Sequence, residues 1–391
     1  PLLLVFFQQV SLVAPLAMGI AVPGVSFLVV PLALAGTVVF LASEGVGLSL
    51  LQASAWLIEL LWIFLDWLAA SPAALLDGSQ PPAWRLLLAV PGVALVCLPR
   101  GVPGRWPGVL LLLPLLVSRP QPASGEAWVT LLDVGQGLAA VVRTAGHTLV
   151  YDAGPAFGAD FDTGRAVVAP YLRYRGVRVV DRLIVSHGDN DHIGGAHALL
   201  EMFPAAGLVT SVPDRFPGRQ ALDCRRGMAW TWDGVRFTLL HPDAADRHTG
   251  NDASCVLRIE VPGGQALLLS GDIERAGERA LLGRYGAGLA ADVLVVPHHG
   301  SGTSSTDEFV AMVSPSYALI PAGYRNRYRL PRTEVLARYR TTGSRVLVTG
   351  HSGAITVRLL PHGDSPVVSR FRQQQPRFWR RREPATGQFG Y

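Results

Sequence analysis

The segment 186–195 holds four potential metal ligands within six positions. They are the imidazoles of His187 and His192 and the carboxylates of Asp189 and Asp191. The segment follows an apolar, strand-like run, and a loop that leaves a strand can direct such side chains toward two cations side by side. Imidazole and carboxylate ligands suit Zn²⁺ or Mn²⁺. Two such cations can activate a shared water and stabilise both oxygens of a phosphodiester displacement, so the pattern indicates metal-dependent hydrolysis.

Other polar residues at the ends of apolar runs could complete this centre. Asp272 could bridge two metals through one carboxylate, although a lone Asp after Gly is also a common turn residue. Of the paired His298 and His299, one could complete a ligand set. Asp152 could orient a ligand without touching the metal. Ser301 could donate to a phosphate, although the Ser- and Thr-rich stretch that it begins is equally typical of a plain loop.

The elements that must position these residues are short. From residue 128 to residue 359, strand-like apolar runs alternate with helix-like runs and polar turns. Polar clusters repeatedly follow the ends of the strand-like runs, which is where ligands bind in layered α/β folds. The pattern therefore predicts an α+β or α/β domain over residues 128–362, with its site at the edge of a sheet.

Residues 1–120 differ from the rest of the chain in charge. They contain four Arg and four acidic residues, whereas the whole chain has 34 basic and 29 acidic residues. The apolar runs in this region cover residues 10–22, 25–42, 45–70, 86–98 and 109–117. Successive apolar runs without a polar face predict transmembrane helices, the alternative being a buried helical core. The first three can span a bilayer if Pro15, Pro23 and Pro31 mark ends or kinks, and the last two could form a tilted or re-entrant hairpin.

The charges near the apolar runs also predict an orientation. Arg100 and Arg105 indicate a cytoplasmic loop, which would place the following soluble domain on the periplasmic side. We expect a linker over residues 121–127 and a basic, disordered tail over residues 363–391, which could also attach to a membrane surface. Because the chain begins with Pro1 rather than Met, we expect it to be part of a longer protein.

Two further patterns bear on compartment and partner. Cys224 and Cys255 lie in the polar part of the chain and could pair in an oxidising compartment. Arg325, Arg327 and Arg329 are interleaved with Tyr residues, a composition that suits backbone contacts and base stacking in single-stranded nucleic acid.

Several motifs together resemble those of one protein family. They are Leu132–Gly137 (LDVGQG), Ser186–Gly195 (SHGDNDHIGG), Asn251–Leu257 (NDASCVL), Ser270–Asp272 (SGD) and Pro297–Ser301 (PHHGS). The set resembles the metallo-β-lactamase superfamily, and within it the carboxyl-terminal domain of the ComEC family of DNA-internalisation competence proteins. The resemblance covers about residues 128–360, and the preceding apolar runs are similar to the end of that family's membrane domain. It implies an αββα metallo-β-lactamase sandwich after an all-α transmembrane segment over residues 1–120.

The resemblance implies a role for each matched residue. The implied metal ligands are His187, Asp189, Asp191, His192, Asp272 and His298. The first two would hold one metal, the next two would hold the other, and the carboxylate of Asp272 would bridge them. His298 would complete the second set, with His299 as the less favoured choice. Asp191, Asp272 and His187 would be the catalytic residues.

Supporting residues and departures from the family pattern follow from the same motifs. Asp152 would support the metal-binding loop, and Asp133 is a further candidate for that role. Asp189 stands where the superfamily usually has His, and this hard oxygen ligand favours Mn²⁺ over Zn²⁺. Leu138 stands where family members often carry Asp. The usual third-motif His is not evident, and the candidates for its place are His248, Asn251 and Asp252.

The resemblance implies DNA uptake across the inner membrane during natural transformation, with two divalent ions, Mn²⁺ or Zn²⁺, in the soluble domain. This two-metal phosphodiesterase domain would degrade the strand that is not transported. The implied partners are incoming double-stranded DNA, transported single-stranded DNA, membrane lipid, a periplasmic DNA receptor and a cytoplasmic translocation motor; homo-oligomerisation stays open. The alternatives are a domain that guides DNA without cutting it, a metallo-hydrolase acting on another ester, and a transporter with a vestigial domain.

Overall fold

The structure is a computed structural model. It describes residues 9–11, 13–71, 74, 76–77, 83–99, 101, 104–116, 120–203, 207–243, 248–363 and 365–376. The chain divides into two compact units, of which one contains Pro1–Arg119 with Arg173–Gly176 and the other contains Pro120–Leu172 with Val177–Tyr391.

The first unit is built mainly from apolar helices. Its elements are β1 (Gln9–Val10), α1 (Ala14–Gly24), a π-helical turn (Val25–Val29), α2 (Val30–Phe40), α3 (Glu44–Ala69), β2 (Leu76–Asp77), α4 (Ala83–Val96), α5 (Trp106–Leu112) and a 3₁₀ turn (Leu113–Leu116). The short strands β1 and β2 pair antiparallel. Within the described residues, two helical stretches are long and apolar enough to cross a membrane, Ala14–Phe40 and Glu44–Ala69.

The stretch Ala14–Phe40 joins two apolar runs that the sequence pattern predicts as separate spans. Pro23 and Pro31 lie inside it and do not end it, because the π-helical turn between them changes the hydrogen-bonding pattern around the missing N–H groups. The hydroxyl of Ser54 on α3 donates to the carbonyl oxygen of Val29 at 3.2 Å. Such bonds and close contacts between small residues are typical of helices packed in a membrane.

The two shorter apolar runs form α4 and α5, which pack against each other. A Cβ atom added at Gly92 would lie 3.0 Å from the carbonyl oxygen of Gly108. Glycine at both positions therefore allows the two helix backbones to approach closely, as in the hairpin that the sequence pattern suggests.

The second unit contains two β-sheets. The described strands of the first sheet are β3 (Ala127–Leu131), β4 (Ala140–Arg143), β5 (Thr148–Tyr151), β6 (Arg182–Val185), β7 (Gly207–Thr210), β8 (Ala221–Asp223), β16 (Ile355–Leu359) and β17 (Val367–Arg370). Those of the second sheet are β9 (Ala229–Trp232), β10 (Val235–His241), β11 (Val256–Glu260), β12 (Ala266–Leu269), β13 (Val293–Val295), β14 (Tyr317–Ile320) and β15 (Arg345–Val348). The strand orders are β17-β16-β3-β4-β5-β6-β7-β8 and β15-β14-β13-β12-β11-β10-β9. Strands β5 to β8 run parallel in the first sheet, and β12 to β15 run parallel in the second.

Helices cover the outer faces of both sheets. The described helices of this unit are a π-helical turn (Gly164–Val168), α6 (Ala169–Tyr174), α7 (Asn190–Ile193), α8 (Ala196–Met202), α9 (Arg275–Tyr285), α10 (Asp307–Val313), α11 (Thr333–Thr341), α12 (Thr349–Ser352) and α13 (Phe371–Gln374). Tyr151 and Phe237 are buried between the sheets, Leu172 is buried under the helices of the first sheet, and Phe309 is buried under those of the second. The longer helices thus bury one apolar face against a sheet, and the predicted αββα sandwich is confirmed.

Ordered structure continues beyond residue 362, the boundary that the sequence pattern suggests for the domain. Strand β17 pairs antiparallel with β16 at the edge of the first sheet, and α13 follows it. Val368 packs against the core between the sheets, and this burial holds the beginning of the expected disordered tail in place. Residues 377–391 of that tail lie outside the described residues.

Candidate metal centre

Parallel strands bring the candidate ligands to one edge of the sandwich. In the first sheet, β5 ends just before Asp152 and β6 ends just before the segment 186–195. In the second sheet, β12 is followed by Asp272 and β13 is followed by His299. Because the carboxyl ends of parallel strands lie together, each sheet presents its polar residues at one end of its strands.

Five side chains from the two sheets form a cluster at this edge: His187, Asp191, His192, Asp272 and His299. The Nε2 atom of His192 lies 3.1 Å from Asp272 Oδ1 and 3.2 Å from His299 Nε2. His299 Nε2 in turn lies 3.1 Å from Asp191 Oδ2 and 3.2 Å from Asp272 Oδ2. The ligand atoms fall into two groups, and within each group they all lie within 4.8 Å of one another. One group is His187, His192 and Asp272, and the other is Asp191, His192 and His299. The cluster therefore offers two adjacent sets of cation ligands.

His187 provides the test of whether these residues fit a metal ion. Its Nδ1 atom lies 3.0 Å from Ser186 Oγ and 3.3 Å from Ser254 Oγ. Its buried Nε2 atom has no hydrogen-bond partner among the described residues, and Asp189 Oδ2, at 3.7 Å, is too far away to be one. Leaving a buried polar atom without a partner is costly, and a metal ion beside Nε2 would satisfy it. The imidazole and carboxylate donors around it suit Zn²⁺ or Mn²⁺.

Hydrogen bonds behind the cluster fix the orientation of its imidazoles. The carboxylate of Asp152 accepts from His192 Nδ1 at 2.7 Å, from Ser186 N at 2.6 Å and from Ser186 Oγ at 2.7 Å. His299 Nδ1 donates to the carbonyl oxygen of Pro321 at 2.9 Å. In both residues Nδ1 is therefore engaged and Nε2 faces the cluster, which is how metal-binding His side chains are usually held.

The cluster also holds protons that a cation would displace. Burial alone would lower the pKa of His192 and of His299, but the carboxylate of Asp272 and its neighbours outweigh burial. The pKa of His192 is raised well above its usual range, and the pKa of His299 is raised to about 9. Burial likewise opposes ionisation of Asp272, yet the two imidazoles hold its pKa well below the usual range. Binding of a cation to these imidazoles must therefore release protons.

The structure places His299 inside the cluster and His298 outside it. Both residues adopt left-handed backbone conformations in the turn Pro297–Gly300, with φ of 54° and 48°, and their ring planes differ by 66°. His299 is buried among the ligands. The partly exposed His298 instead places Nδ1 3.0 Å from Glu274 Oε1 and 3.0 Å from Thr303 Oγ1. The sequence pattern favoured His298, because spacing alone does not reveal the direction in which this turn aims each ring.

Three other residues that the sequence suggested lie at the rim of the cluster or outside it. Asp189 is largely exposed, with 61% of its side-chain surface accessible. Asp133 Oδ2 forms an ion pair with the guanidinium of Arg372 at 2.8 Å. Ser301 Oγ lies 3.0 Å from Thr303 Oγ1. Asp189 remains close enough to His187 to approach a metal there, whereas the other two residues are engaged elsewhere.

None of the three candidates for the third-motif ligand reaches the cluster. The ring of His248 packs on that of His241, with centroids 4.8 Å apart. Asn251 Nδ2 lies 3.4 Å from a Glu274 carboxylate oxygen, and Asp252 Oδ1 accepts from backbone N–H groups at the start of α9. From this segment it is Ser254 whose Oγ approaches His187 and accepts from the backbone N–H of Asp272 at 3.1 Å. Ser186 and Ser254 lie within two of the motifs, but the sequence assigned no role to either side chain.

Small residues allow neighbouring loops to close on the ligand loop. A Cβ atom at Gly194 would collide with the backbone of Ala156 and of Asn190, so only glycine fits there. The backbone N–H of the buried Leu138 donates to the carbonyl oxygen of Asp191 at 3.0 Å. Leu138 thus holds the ligand loop through its backbone and contributes no polar side chain.

The three Arg residues singled out from the sequence lie on one segment, Tyr324–Arg329. The guanidinium of Arg325 lies 5.2 Å from the ring centroid of Tyr324, and that of Arg327 lies 4.7 Å from the ring centroid of Tyr328. Arg329 shares with Arg325 a left-handed backbone conformation. The segment therefore presents guanidinium groups stacked on aromatic rings.

Cys224 and Cys255 are joined as a disulfide with a Cα–Cα distance of 6.0 Å. Cys224 follows β8 of the first sheet and Cys255 precedes β11 of the second, so the bond connects the two sheets. The backbone N–H of Cys255 donates to the carbonyl oxygen of Ser186 at 3.0 Å. This link lies directly behind the ligand loop.

Comparison with known proteins divides the chain in the same way as its structure. Residues 132–324 match the metallo-beta-lactamase superfamily, and residues 1–103 match the family described as "Competence protein". The chain is 41% identical over 351 residues to Competence protein ComA of Neisseria gonorrhoeae, which covers 89% of the chain and 48% of that protein. It is 34% identical over 384 residues to the uncharacterized protein YcaI of Escherichia coli strain K12, covering 93% of the chain and 47% of that protein. The chain thus spans about half the length of these curated relatives.

Among solved structures, Igni18, a novel metallo hydrolase from the hyperthermophilic archaeon Ignicoccus hospitalis, aligns with 62% of the chain and 99% of its own length. The TM-score is 0.40 and the sequence identity is 18%.

Proposed function

We propose, from the match of residues 1–103 to the competence protein family and of residues 132–324 to the metallo-β-lactamase superfamily, that the chain is part of a DNA-uptake protein. In this proposal the soluble domain is a two-metal phosphodiesterase that cuts the DNA strand that is not transported. One observation carries the hydrolytic part of the proposal. It is the buried cluster in which His192 belongs to both ligand groups, while His187 Nε2 has no hydrogen-bond partner among the described residues.

Each residue of the cluster has a distinct place in this proposal. His187 and Asp189 would hold the first metal, Asp191, His192 and His299 would hold the second, and Asp272 would lie between them. Bound Mn²⁺ or Zn²⁺ would supply a water of lowered pKa and positive charge for the phosphate oxygens. The His299 assignment replaces His298 because only the His299 ring lies among the other ligands.

The chain's own residues keep these ligands ready for a cation. Asp152 holds the Nδ1–H of His192, and the carbonyl oxygen of Pro321 holds that of His299, so both Nε2 atoms remain directed at the site. Ser254 holds the backbone N–H of Asp272. Because these supports are buried, the ligands need little reorganisation when a metal binds.

Nucleic acid as the substrate is supported by the segment Tyr324–Arg329. Gly323, which precedes it, lies against the turn at Gly135 and Gln136, where an added Cβ would be 2.8 Å from Gln136 N. Leu138, just beyond that turn, donates to the backbone of Asp191. The stacked Arg and Tyr side chains are therefore anchored beside the ligand loop, where a charged backbone could be held during hydrolysis.

We place the protein in the inner membrane as a multi-pass protein, with the metal-binding domain on the periplasmic side. The two apolar helical stretches support a membrane location. The disulfide between Cys224 and Cys255 supports an oxidising compartment for the soluble domain. In this arrangement a periplasmic receptor would deliver double-stranded DNA, and a cytoplasmic motor would draw in the surviving strand.

The test uses the full chain in detergent, stripped of metal and reloaded with Mn²⁺ or Zn²⁺, together with labelled single- and double-stranded DNA. We expect metal-dependent cutting that Asp191→Asn and Asp272→Asn abolish. The control Asp223→Asn changes an exposed carboxylate on β8 and should cut like the wild type. Cutting that survives both cluster substitutions would show a contaminating nuclease and contradict the proposal.

A second function has one observation in its favour, namely that His248, Asn251 and Asp252, the candidates for the third-motif ligand, are all engaged outside the cluster. A site with fewer ligands would hold the first metal weakly, and the domain would then guide DNA without cutting it. Tight DNA binding without cutting under either metal would establish this alternative.

A further inference from the structure

Two phenylalanines project from a short hairpin beside the metal centre. Phe157 and Phe161 are 65% and 57% exposed, more than the other aromatic residues in the described part of the second unit. Their ring centroids lie 5.7 Å apart at an interplanar angle of 32°. The backbone N–H of Phe157 donates to the carbonyl oxygen of Phe161 at 2.9 Å, and Ala156 forms a bridge with Asp162, so the pair is held at the tip of an ordered turn. Exposed aromatic pairs of this kind usually mark a binding surface.

The hairpin is attached directly to the metal-binding loop. Asn190, which stands between Asp189 and Asp191 in the chain, accepts from Ala156 N at 3.3 Å and donates to the carbonyl oxygen of Ala156 at 2.9 Å. Thr163 Oγ1 closes the other end of the hairpin by donating to the carbonyl oxygens of Ala153 and Pro155. Since Phe157 follows Ala156 in the chain, its backbone lies within one peptide unit of this attachment.

The turn Gly135–Gly137 contacts both the base of the aromatic hairpin and the residue that leads into the basic segment. On one side, a Cβ atom at Gly137 would lie 2.5 Å from the carbonyl oxygen of Asp191 and 3.0 Å from Pro155, at the base of the hairpin. On its other side, the turn touches Gly323, which leads into Tyr324–Arg329. The aromatic hairpin and the Arg-rich segment therefore flank the same turn, which overlies the ligand loop.

The aromatic hairpin and the Arg-rich segment differ in charge, and this difference suits them to different parts of a nucleic acid. The hairpin carries the exposed carboxylate of Asp160 next to Phe161, which repels phosphate groups, whereas Asp162 is buried and lies 3.8 Å from the guanidinium of Arg165. The segment Tyr324–Arg329 carries guanidinium groups that attract phosphates. A nucleic acid strand that crosses the site would thus turn its backbone toward the Arg residues and its bases toward the phenylalanines.

We propose that Phe157 and Phe161 form a stacking site for unpaired nucleobases, which makes single-stranded DNA the form that the metal centre engages. This inference rests on the proposed function. Two Phe rings have no hydrogen-bonding groups, so stacking on them is tolerant of base sequence. Bases of an intact duplex are already stacked on one another and are not available to the hairpin. A bilayer surface would also accept exposed phenylalanines, but it would not require their attachment to the loop of ligands.

The first test measures binding of a labelled oligothymidylate to the full chain in detergent and EDTA, by fluorescence anisotropy. Because the double substitution removes both stacking rings, Phe157→Ala/Phe161→Ala should weaken single-strand binding at least about 10-fold. A duplex of the same length should lose less than about twofold, and Phe157→Trp/Phe161→Trp should restore the single-strand affinity. The matched control Leu222→Ala removes another exposed apolar side chain, on β8, and should bind like the wild type.

A second measurement on the wild-type protein does not depend on any substitution. Photocross-linking of an oligonucleotide that contains 5-iodouracil should modify Phe157 or Phe161, as located by mass spectrometry. Unchanged single-strand affinity in the double alanine variant together with cross-links elsewhere would overturn the inference. A second result would also overturn it. If lipid nanodiscs without DNA protect the amides of residues 155–163 from exchange, and single strands add no further protection, the hairpin faces the bilayer.

A separate assay tests the proposed phosphodiesterase activity independently of the stacking site. Metal-dependent hydrolysis of bis(p-nitrophenyl) phosphate by the wild type tests the phosphodiesterase centre with a substrate that has no nucleobase. If this hydrolysis fails while the stacking tests succeed, the hydrolytic proposal falls and the single-strand site stands. If hydrolysis succeeds while the stacking tests fail, the inference about the phenylalanines falls alone.

Discussion

Asp152→Asn tests whether the hydrogen bonds behind the cluster control metal affinity. Asp152 is fully buried, and its carboxylate accepts three hydrogen bonds of 2.6 to 2.7 Å, two from Ser186 and one from His192 Nδ1. Asn has nearly the same shape and also tolerates the left-handed backbone found at this position, where φ is 55°. The substitution therefore removes charge and one acceptor atom while adding little strain.

The expected loss of metal affinity follows from the acceptor atom, Asp152 Oδ2, that the substitution removes. Asp152 Oδ2 accepts from both Ser186 Oγ and His192 Nδ1, and an Asn amide at that place would present N–H groups to them instead. Without its acceptor, His192 is free to take the tautomer that carries its proton on the metal-facing Nε2. Loss of such a supporting carboxylate typically weakens metal binding 10- to 100-fold, which corresponds to about 1.4–2.7 kcal/mol.

The assay is a competitive titration of the metal-free protein with Zn²⁺ and Mn²⁺ in the presence of a chromogenic chelator. The matched control is Asp181→Asn, because Asp181 also accepts from a backbone N–H, that of Thr148, but lies at the amino-terminal end of β6. Circular dichroism establishes that both variants are folded. Wild-type metal affinity in folded Asp152→Asn protein would refute the reasoning.

Three further outcomes are expected. His299→Ala should lose one of two bound metal equivalents in elemental analysis while His298→Ala keeps both, because only His299 lies in the cluster; the reverse pattern would show that the turn is misassigned. For Asp233, burial opposes ionisation, but hydrogen bonds from a hydroxyl, a backbone N–H and an imidazole lower its pKa to about 2. A carboxyl group with a lowered pKa stabilises the fold at pH values above its unfolded pKa of about 3.9, and this stabilisation is lost as the pH falls toward 2. Asp233→Asn should therefore lower Tm at neutral pH, and the difference in Tm from the wild type should shrink between about pH 4 and pH 2. A pH-independent difference in Tm would contradict that account. Because the disulfide between Cys224 and Cys255 has a sequence separation of 31, reduction should cost about 3–4 kcal/mol and lower the Tm of the wild type but not that of Cys224→Ser; equal sensitivity to reductant would rule this out.

Local patterns in the sequence predicted an α+β or α/β domain, and the resemblance of the motifs implied the sandwich and four of the five residues in the cluster. The ligand loop is contiguous, so His187 and His192 are visible as a motif, and a strand followed by a polar turn predicts where Asp152 and Asp272 lie. The alternation of apolar runs predicts an α+β or α/β domain, whereas the arrangement of its two sheets between helices was implied by the resemblance.

The remaining features depend on contacts between distant parts of the chain. Spacing cannot distinguish His298 from His299, since a single left-handed turn decides which ring is buried. Ser254 has no ligand-like side chain, and its role appears only when the two sheets bring it next to His187. The helix Ala14–Phe40 depends on a local change of helical hydrogen bonding at Val25–Val29, which hydropathy does not report.

The origin of the ligands has a consequence for how the domain matures. His187, Asp191 and His192 come from the first sheet, whereas Asp272 and His299 come from the second. A newly synthesised chain cannot complete the ligand set until both layers have docked, so metal capture would mark the end of assembly rather than its beginning. A tightly bound metal would then stabilise the docked state relative to open states, by a free energy that grows with the logarithm of the free metal concentration. Metal supply in the compartment would thereby set the fraction of chains that persist as finished domains.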